Sequence, residues 1–460
     1  MTLTSSDRVQ AVLATAASGA AHGTFPVEAF ADDAVYQAEL DRVFAKSWLF
    51  VAHESEIAEP GDYVLRHLGE DEVIVTRDED GRIHVLYNAC RHRGAPVCRG
   101  AKGNSSHFRC PYHGWTYRND GTWASAPRKT LVYKNLDTAN WGLLAAPHVA
   151  VKWGLVFASP DPAAPPFDEY LGDMAWYLEA VFGLDSRGMI VMGEPERALL
   201  EANWKTGAEN YCGDALHVAH THKSLEDLGI SKQLLREQEM YSMFSPGKGH
   251  ATFAWNLERS GLPVEAPWGY PKQVWDLFDQ GELTADQQRF NAERMPLAGL
   301  VFPNFGFFRG FSFDPVSQQV MVHTQLRLYQ PRGATKTEVL SWLVFHVAEP
   351  EEYRTKSYRD GLFVLNAPGI LEQDDFTLWN APSRVGRSRF ARDREMGLNY
   401  QAGLPGMSRG GPIEDHPGPG ESYDSAFTEG NIRAFQRHWL DQMNAADVGS
   451  AGPDRCEEDR

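Results

Sequence analysis

The chain has 460 residues, with 62 Asp and Glu against 44 Lys and Arg, for a formal net charge of −18. Apolar residues are 42% and aromatics 12% of the total, enough for a full core over two or three domains and too much for a disordered chain. So acidic a surface argues against nucleic acid or an anionic membrane as main partner, and suits a basic protein partner or plain solubility.

Five cysteines (Cys90, Cys98, Cys110, Cys212 and Cys456) are too few and too unevenly placed for a disulfide framework. Clustered Cys and His without a secretory segment read as metal ligands in a reducing compartment, so a cytoplasmic location is expected. The Ala-rich stretch 11–21 lacks the Leu/Val run of a signal core. No apolar run approaches the roughly 18–20 residues that span a bilayer.

Residues 1–45 read as a helical segment, with Phe30, Val35, Leu40 and Val43 as apolar contacts and Asp32-Asp33 as a start signal. From Trp48 the pattern turns to short Val-, Ile-, Tyr- and Trp-rich runs punctuated by Pro60-Gly61, Asp80-Gly81 and Asp120-Gly121. The runs 72–76 and 83–87 flank Asp80-Gly81 as a hairpin would. This all-β domain extends over 46–160 and ends at the Pro-rich stretch 161–166. Helices are expected over 170–181, 203–224, 285–294, 350–365 and 431–443, with a sheet between 301 and 347. The stretch 403–422 reads as a surface arm. The fold class is α+β: a small β domain, then a larger catalytic domain over 161–445 and a flexible acidic tail, 446–460.

Cys90-Arg91-His92 and Cys110-Pro111-Tyr112-His113 are separated by 17 residues. Each pair follows a strand-like run and carries a glycine, Gly94 or Gly114, that permits a tight loop. Zinc takes two Cys and two His readily, but Cys-x-His is shorter than the usual zinc loops. A Rieske [2Fe–2S] centre, with two thiolates on one iron and two imidazoles on the other, suits the pattern better. Cys98 lies outside that pattern and reads as structural.

Further on, Asn210, Asp214 and His217 are spaced to share one helical face. His222 stands about 140° away from His217 on an ideal helix, so both imidazoles can reach one metal only if the helix ends or bends near His220. The run Glu372-Gln373-Asp374-Asp375 offers carboxylates on another element. Two His and one carboxylate form the facial triad of mononuclear non-haem Fe(II) oxygenases. Each half alone also suits ordinary core histidines or a solvated acidic turn. Beside a one-electron carrier the two halves make a coherent chemical unit, because O2 activation needs electrons delivered singly.

At Asn88-Ala89-Cys90-Arg91-His92-Arg93-Gly94, Cys110-Pro111-Tyr112-His113-Gly114-Trp115 and Glu372-Gln373-Asp374-Asp375, the sequence resembles the large (α) subunits of Rieske non-haem iron ring-hydroxylating dioxygenases, nearest the group acting on naphthalene-like aromatics. The likeness spans about 44–443. It implies an all-β Rieske domain and a catalytic domain with a large antiparallel sheet covered by helices. Cys90, His92, Cys110 and His113 would hold the cluster. His217, His222 and Asp375 would hold the mononuclear iron, with Asn210 and Asp214 as catalytic residues. Asp214 would link His217 to His113 of a neighbouring subunit, which implies an α3 trimer, often with a small β subunit as α3β3. Electrons would come from NADH through a reductase and a ferredoxin, and O2 would be added to an aromatic hydrocarbon or aromatic carboxylate to give a cis-dihydrodiol. Leu216 departs from the family's usual Tyr, and Phe376-Thr377-Leu378-Trp379 from its polar continuation.

Val218, Phe302, Phe307, Leu365 and Leu371 are the candidate pocket residues. Arg309, Arg354 and Lys356 are the cations available to an aromatic carboxylate. A Rieske monooxygenase or demethylase would use the same two metal sites. A non-catalytic electron carrier or zinc-stabilised module would use only the first.

Overall fold

The computed structural model describes residues 4–227, 241–257, 265–313, 319–365, 369–406, 412–423 and 428–445. The expected tail at 446–460, Cys456 and part of the arm at 403–422 lie outside the described residues.

The first segment forms two helices, Ser5–Ala20 and Asp33–Arg42. The second starts where the Asp32 carboxylate accepts the Ala34 N–H at 2.8 Å, a side-chain N-cap. Both helices pack against the last helix, Gly430–Ala445. Glu39, fully buried, accepts from the indole N–H of Trp204 (2.9 Å) and of Trp439 (2.8 Å) and pairs with Lys205.

The β domain contains a four-stranded sheet ordered Ile83–Tyr87, Asp71–Arg77, Asp62–Leu68, Lys102–Asn104. The expected hairpin at Asp80-Gly81 pairs Val75 with Val85, and Gly81 sits at φ +83°, where only glycine is relaxed. A three-stranded sheet, His107–Arg109, Thr116–Arg118 and Trp123–Ser125, presents the second Cys/His loop. Leu49–His53, Leu155–Ser159 and His148–Lys152 make a further sheet. It abuts the catalytic half through Phe50, whose ring lies 4.5 Å from Phe305.

The catalytic half is built on an eight-stranded antiparallel sheet ordered Met189–Leu200, Lys336–His346, Val320–Gly333, Phe305–Phe313, Arg294–Val301, His250–Asn256, Tyr241–Gly247, Glu421–Tyr423. Successive side chains in a strand point to opposite faces, and both faces are covered. On one, the helix Trp204–Gly213 crosses four of the strands. On the other, Phe182 of the helix Met174–Phe182 packs on Phe305 and Phe307.

Two expected helices are interrupted. The one foreseen over 170–181 divides into Phe167–Leu171 and Met174–Phe182 at Gly172, which sits at φ +52°. The one foreseen over 203–224 divides into Trp204–Gly213, Val218–Thr221 and Lys223–Asp227, and that break shapes the site. No described helix is long and apolar enough to cross a membrane.

Candidate active site and metal centres

The two Cys/His loops repeat one local structure. Gly94 N–H donates to Cys90 O at 2.8 Å and Gly114 N–H to Cys110 O at 3.0 Å, with the glycines at φ +73° and +72°. These tight turns bring the rings of His92 and His113 to 4.6 Å. Both Nδ1 atoms are buried without a hydrogen-bond partner, although buried imidazole nitrogens are ordinarily satisfied. Cys90 and Cys110 are buried free thiols, and burial pushes the Cys90 thiol up.

A tetrahedral zinc would gather its four donors to about 3.3–3.8 Å from one another. Among the described residues the single set of three or more donors within 4.8 Å lies elsewhere. The four side chains thus fit a two-iron cluster, in which each iron takes two of them, better than one ion. Trp115 stacks on His92 at 5.2 Å, Tyr112 covers His113 at 3.8 Å, and the Tyr117 hydroxyl lies 3.2 Å from Cys90 Sγ. Cys98 bonds to Gly100 O at 3.6 Å, outside this set.

The set of three is His217, His222 and Asp375. His217 Nε2 lies 3.2 Å from His222 Nε2 and 3.4 Å from Asp375 Oδ1, and His222 Nε2 lies 3.6 Å from the same oxygen. Donors at about 2.1 Å from one cation and at angles of 90–109° stand about 3.0–3.4 Å apart, so this triangle fits a metal ion.

The loop that makes the triangle possible begins earlier than expected. The helix ends at Gly213, with Asp214 beyond it at φ −86°, ψ 70°, instead of continuing to His220. Asn431 causes the stop: its amide donates to Cys212 O at 3.0 Å, and a Cβ at Gly213 would meet Asn431 at 3.0 Å. Asn210, Asp214 and His217 therefore meet across a helix break, not along one face. Asn210 Nδ2 is 3.4 Å from His217 Nε2, and Asp214 Oδ2 is 3.4 Å from His217 Nδ1.

The His217 Nδ1–H also donates to Asp214 O, which fixes the tautomer and turns the Nε2 lone pair toward the triangle. Burial works against charge on His217, yet the Asp214 hydrogen bond and the Asp214 and Asp375 charges prevail and lift it to about 9. Burial, with the His217 charge, lowers His222 to about 3, and burial raises Asp375 to about 6. A divalent cation in the triangle would displace the His217 proton, so binding strengthens as pH rises.

Above the triangle opens a cavity of about 130 Å³. Val218, Leu365 and Leu371 line it; Phe302 and Phe307 do not. Phe307 falls on the other face of its strand, and Phe302 packs on Phe435 and His438 at 5.4 and 4.7 Å. The pocket floor is a cross-strand row that sequence alone did not reveal, Phe253–Ala298–Phe308, with the adjacent pair Tyr241–Trp255. Alternation around Phe307 carried the signal, but which parity faced the site depended on strand register.

No Lys or Arg is among the described lining residues. Arg309 is consumed at the back of the sheet by Val181 O (2.6 Å) and Tyr270 (3.0 Å), Arg354 bonds to Val347 O, and Lys356 pairs with Glu352.

The nine Lys and Arg between residues 88 and 134 face a single acid, Asp120. Eight of them, from Arg93 to Lys134, are exposed, with Lys102 paired to Glu194 of the catalytic half, while Arg91 is half-buried. Outside that stretch the chain carries 35 cations and 61 anions (44 − 9 and 62 − 1). The net acidity of the chain thus lies outside this stretch, which is itself basic.

Residues 47–135 match the model of the Rieske [2Fe-2S] domain, and residues 167–445 match that of the ring hydroxylating alpha subunit catalytic domain. The chain is 37% identical over 436 residues to the N,N-dimethyl phenylurea N-demethylase subunit alpha of Sphingobium sp. (strain YBL2), covering 93% of each. It is 32% identical over 431 residues to the biphenyl dioxygenase subunit alpha of Paraburkholderia xenovorans (strain LB400), covering 90% of each. The crystal structure of naphthalene 1,2-dioxygenase from Rhodococcus sp. bound to indole superposes with a TM-score of 0.90 at 36% identity, covering 96% of this chain and 99% of that one.

Proposed function

The chain belongs to the family of Rieske-type ring-hydroxylating oxygenase α subunits, and from that premise we propose that it cis-dihydroxylates an uncharged aromatic substrate. Its cofactors are a Rieske [2Fe–2S] cluster and a mononuclear iron. We assign Cys90, His92, Cys110 and His113 to the first and His217, His222 and Asp375 to the second. One observation carries the substrate class: the cavity beside the triangle is walled by Val218, Tyr241, Phe253, Trp255, Phe308 and Leu365 and has no Lys or Arg among its described lining residues. An apolar ring gains by burial there, whereas a carboxylate would lose hydration with nothing to replace it. This favours the hydrocarbon over the aromatic carboxylate.

The two centres, when loaded, supply single electrons and O2 activation. The residues supply the rest. Asp214 orients His217, and His217, His222 and Asp375 leave one side of their triangle toward the cavity. The aromatic walls hold the ring and exclude water. Asp214 is half-exposed, which supports its assignment to a contact with the Rieske domain of a second copy in an α3 or α3β3 assembly. The basic region around the cluster loops suits an acidic electron donor, a ferredoxin fed by an NADH-dependent reductase.

A second reading, N-demethylation, is favoured by the 37% identity to the phenylurea N-demethylase subunit. Single turnover of chemically reduced protein with ¹⁸O2 separates the two. A naphthalene-like arene giving a diol with two labelled oxygens supports the first. Formaldehyde release from an N-methyl arylurea, without diol formation from arenes, replaces it with the second.

A further inference from the structure

Arg327 is fully buried in the middle of the central strand Val320–Gly333. A guanidinium so placed loses its hydration, and a charge pair in such a position is commonly no more stable than apolar residues of the same size. Its surroundings show what it holds. It pairs with Glu372, itself only 3% exposed, and lies over the rings of Tyr211 (4.7 Å), Phe376 (5.8 Å) and Trp379 (5.8 Å).

Glu372, Phe376 and Trp379 are spaced i, i+4, i+7 on the helix Ile370–Trp379, and Asp375 falls on the same stripe, one turn beyond Glu372. That helix has no side-chain bond at its N-cap, Gly369. Gln325, two residues before Arg327 and on the same face of the strand, extends the grip. Its amide donates to Leu365 O at 2.7 Å and to Glu372 Oε1 at 3.3 Å, and its oxygen accepts from the Tyr211 hydroxyl at 2.7 Å. Tyr211 adjoins Asn210 on the helix that leads into His217. One pair of strand residues thus joins the element carrying the carboxylate to the element that precedes the imidazoles.

We propose that Arg327, acting through Glu372, is a positioning residue for the mononuclear metal site, setting the axial placement of the helix that carries Asp375. This rests on the assignment of His217, His222 and Asp375 as metal ligands. Neither Arg327 nor Glu372 belongs to that ligand set, so the effect is on affinity and geometry and not on the number of ligands.

The test compares wild type, the double variant Arg327→Leu/Glu372→Leu and the single variant Arg327→Lys. The double variant removes both charges together and leaves neither stranded. Fe(II) affinity is measured anaerobically by chelator competition on cluster-loaded protein, with thermal melting and the visible spectrum of the cluster read in parallel. The expected result is an unchanged cluster spectrum with Fe(II) affinity weakened by about 10–100-fold, the range for second-layer supports of metal ligands, and a smaller loss in Arg327→Lys. Fe(II) affinity equal to wild type in a folded double variant overturns the proposal, as does loss of cluster and mononuclear iron in proportion to lost folding. Should the double variant not fold, Arg327→Lys decides: weakened Fe(II) binding at an unchanged melting temperature supports the role, and unchanged binding refutes it. Wild type that binds no Fe(II) beyond its cluster iron would refute instead the ligand assignment beneath it.

Discussion

Replacing Tyr117 by Phe probes how the protein sets the potential of its cluster. Tyr117 is fully buried on the strand Thr116–Arg118. Its oxygen accepts the Arg91 N–H at 3.0 Å, which leaves the hydroxyl hydrogen directed to Cys90 Sγ at 3.2 Å. A hydrogen bond to a ligand sulfur stabilises the reduced, more negative state over the oxidised one. Hydrogen bonds to charged groups contribute about 1.5–3 kcal/mol, and the added electron is shared over the whole cluster, so about 1 kcal/mol distinguishes the two states. At 59 mV per tenfold change for one electron, that is a fall of about 40 mV in Tyr117→Phe. The variant also strands the Arg91 N–H, which lowers stability by about 1–3 kcal/mol if water cannot replace the hydroxyl. An EPR-monitored redox titration gives the first quantity and thermal melting the second. A midpoint within about 10 mV of wild type, with the visible spectrum intact, would show that the hydroxyl does not donate to the sulfur.

Three further outcomes are expected. Asp214→Ala keeps both iron centres, by metal count and EPR, while losing turnover by about two orders of magnitude or more; near-normal product formation removes Asp214 from the electron path. Arg93→Glu with Arg109→Glu raises the KM for an acidic electron donor about fivefold at low salt and flattens its ionic-strength dependence, read in donor-saturation assays with the oligomeric state checked; an unchanged KM places the donor elsewhere. Burial lifts Glu209 to about 7, although its carboxylate accepts from Gln436 (2.8 Å) and Tyr400 (3.0 Å). Its folded value exceeds its unfolded one, so its contribution to stability is full below about pH 4.5 and is lost as pH rises through 7, by an amount on the order of 3 kcal/mol. Glu209→Gln therefore gains on wild type in melting temperature between pH 5 and pH 8, and a difference that does not change with pH refutes the burial argument.

The legibility of each feature follows how local its cause is. The cluster loops were readable because everything that shapes them lies within five residues: a Cys carbonyl, a glycine four positions on, and a His between them. Asp214 and His217 were readable as partners, but the break that joins them was not, because its cause is Asn431, on the last helix. Sequence spacing assumes that a helix continues until something nearby stops it. The pocket failed for a related reason. Phe307 and Phe308 are indistinguishable by composition, and only the pairing of Ala298 with Phe308 decides which of them meets the substrate. Asp375 was identified by the likeness of its acidic run to the family motif, since the strand–helix packing that brings it to His217 has no signature in the run itself.

The charge distribution shows how a correct sum can mislead. A net −18 governs the field seen from afar, but contact is decided within about 8 Å, the screening length at physiological salt. Arg91, Arg93 and Arg109 stand next to the cluster loops in the chain, and the surrounding stretch 88–134 holds a single acid, Asp120. An acidic donor is repelled by most of the surface and attracted at the cluster, so the acidic bulk discourages unproductive encounters while the basic loops favour the one orientation that brings donor and cluster together. The acidic excess suits a basic partner or plain solubility, and an acidic donor would instead be drawn to the basic stretch beside the cluster loops.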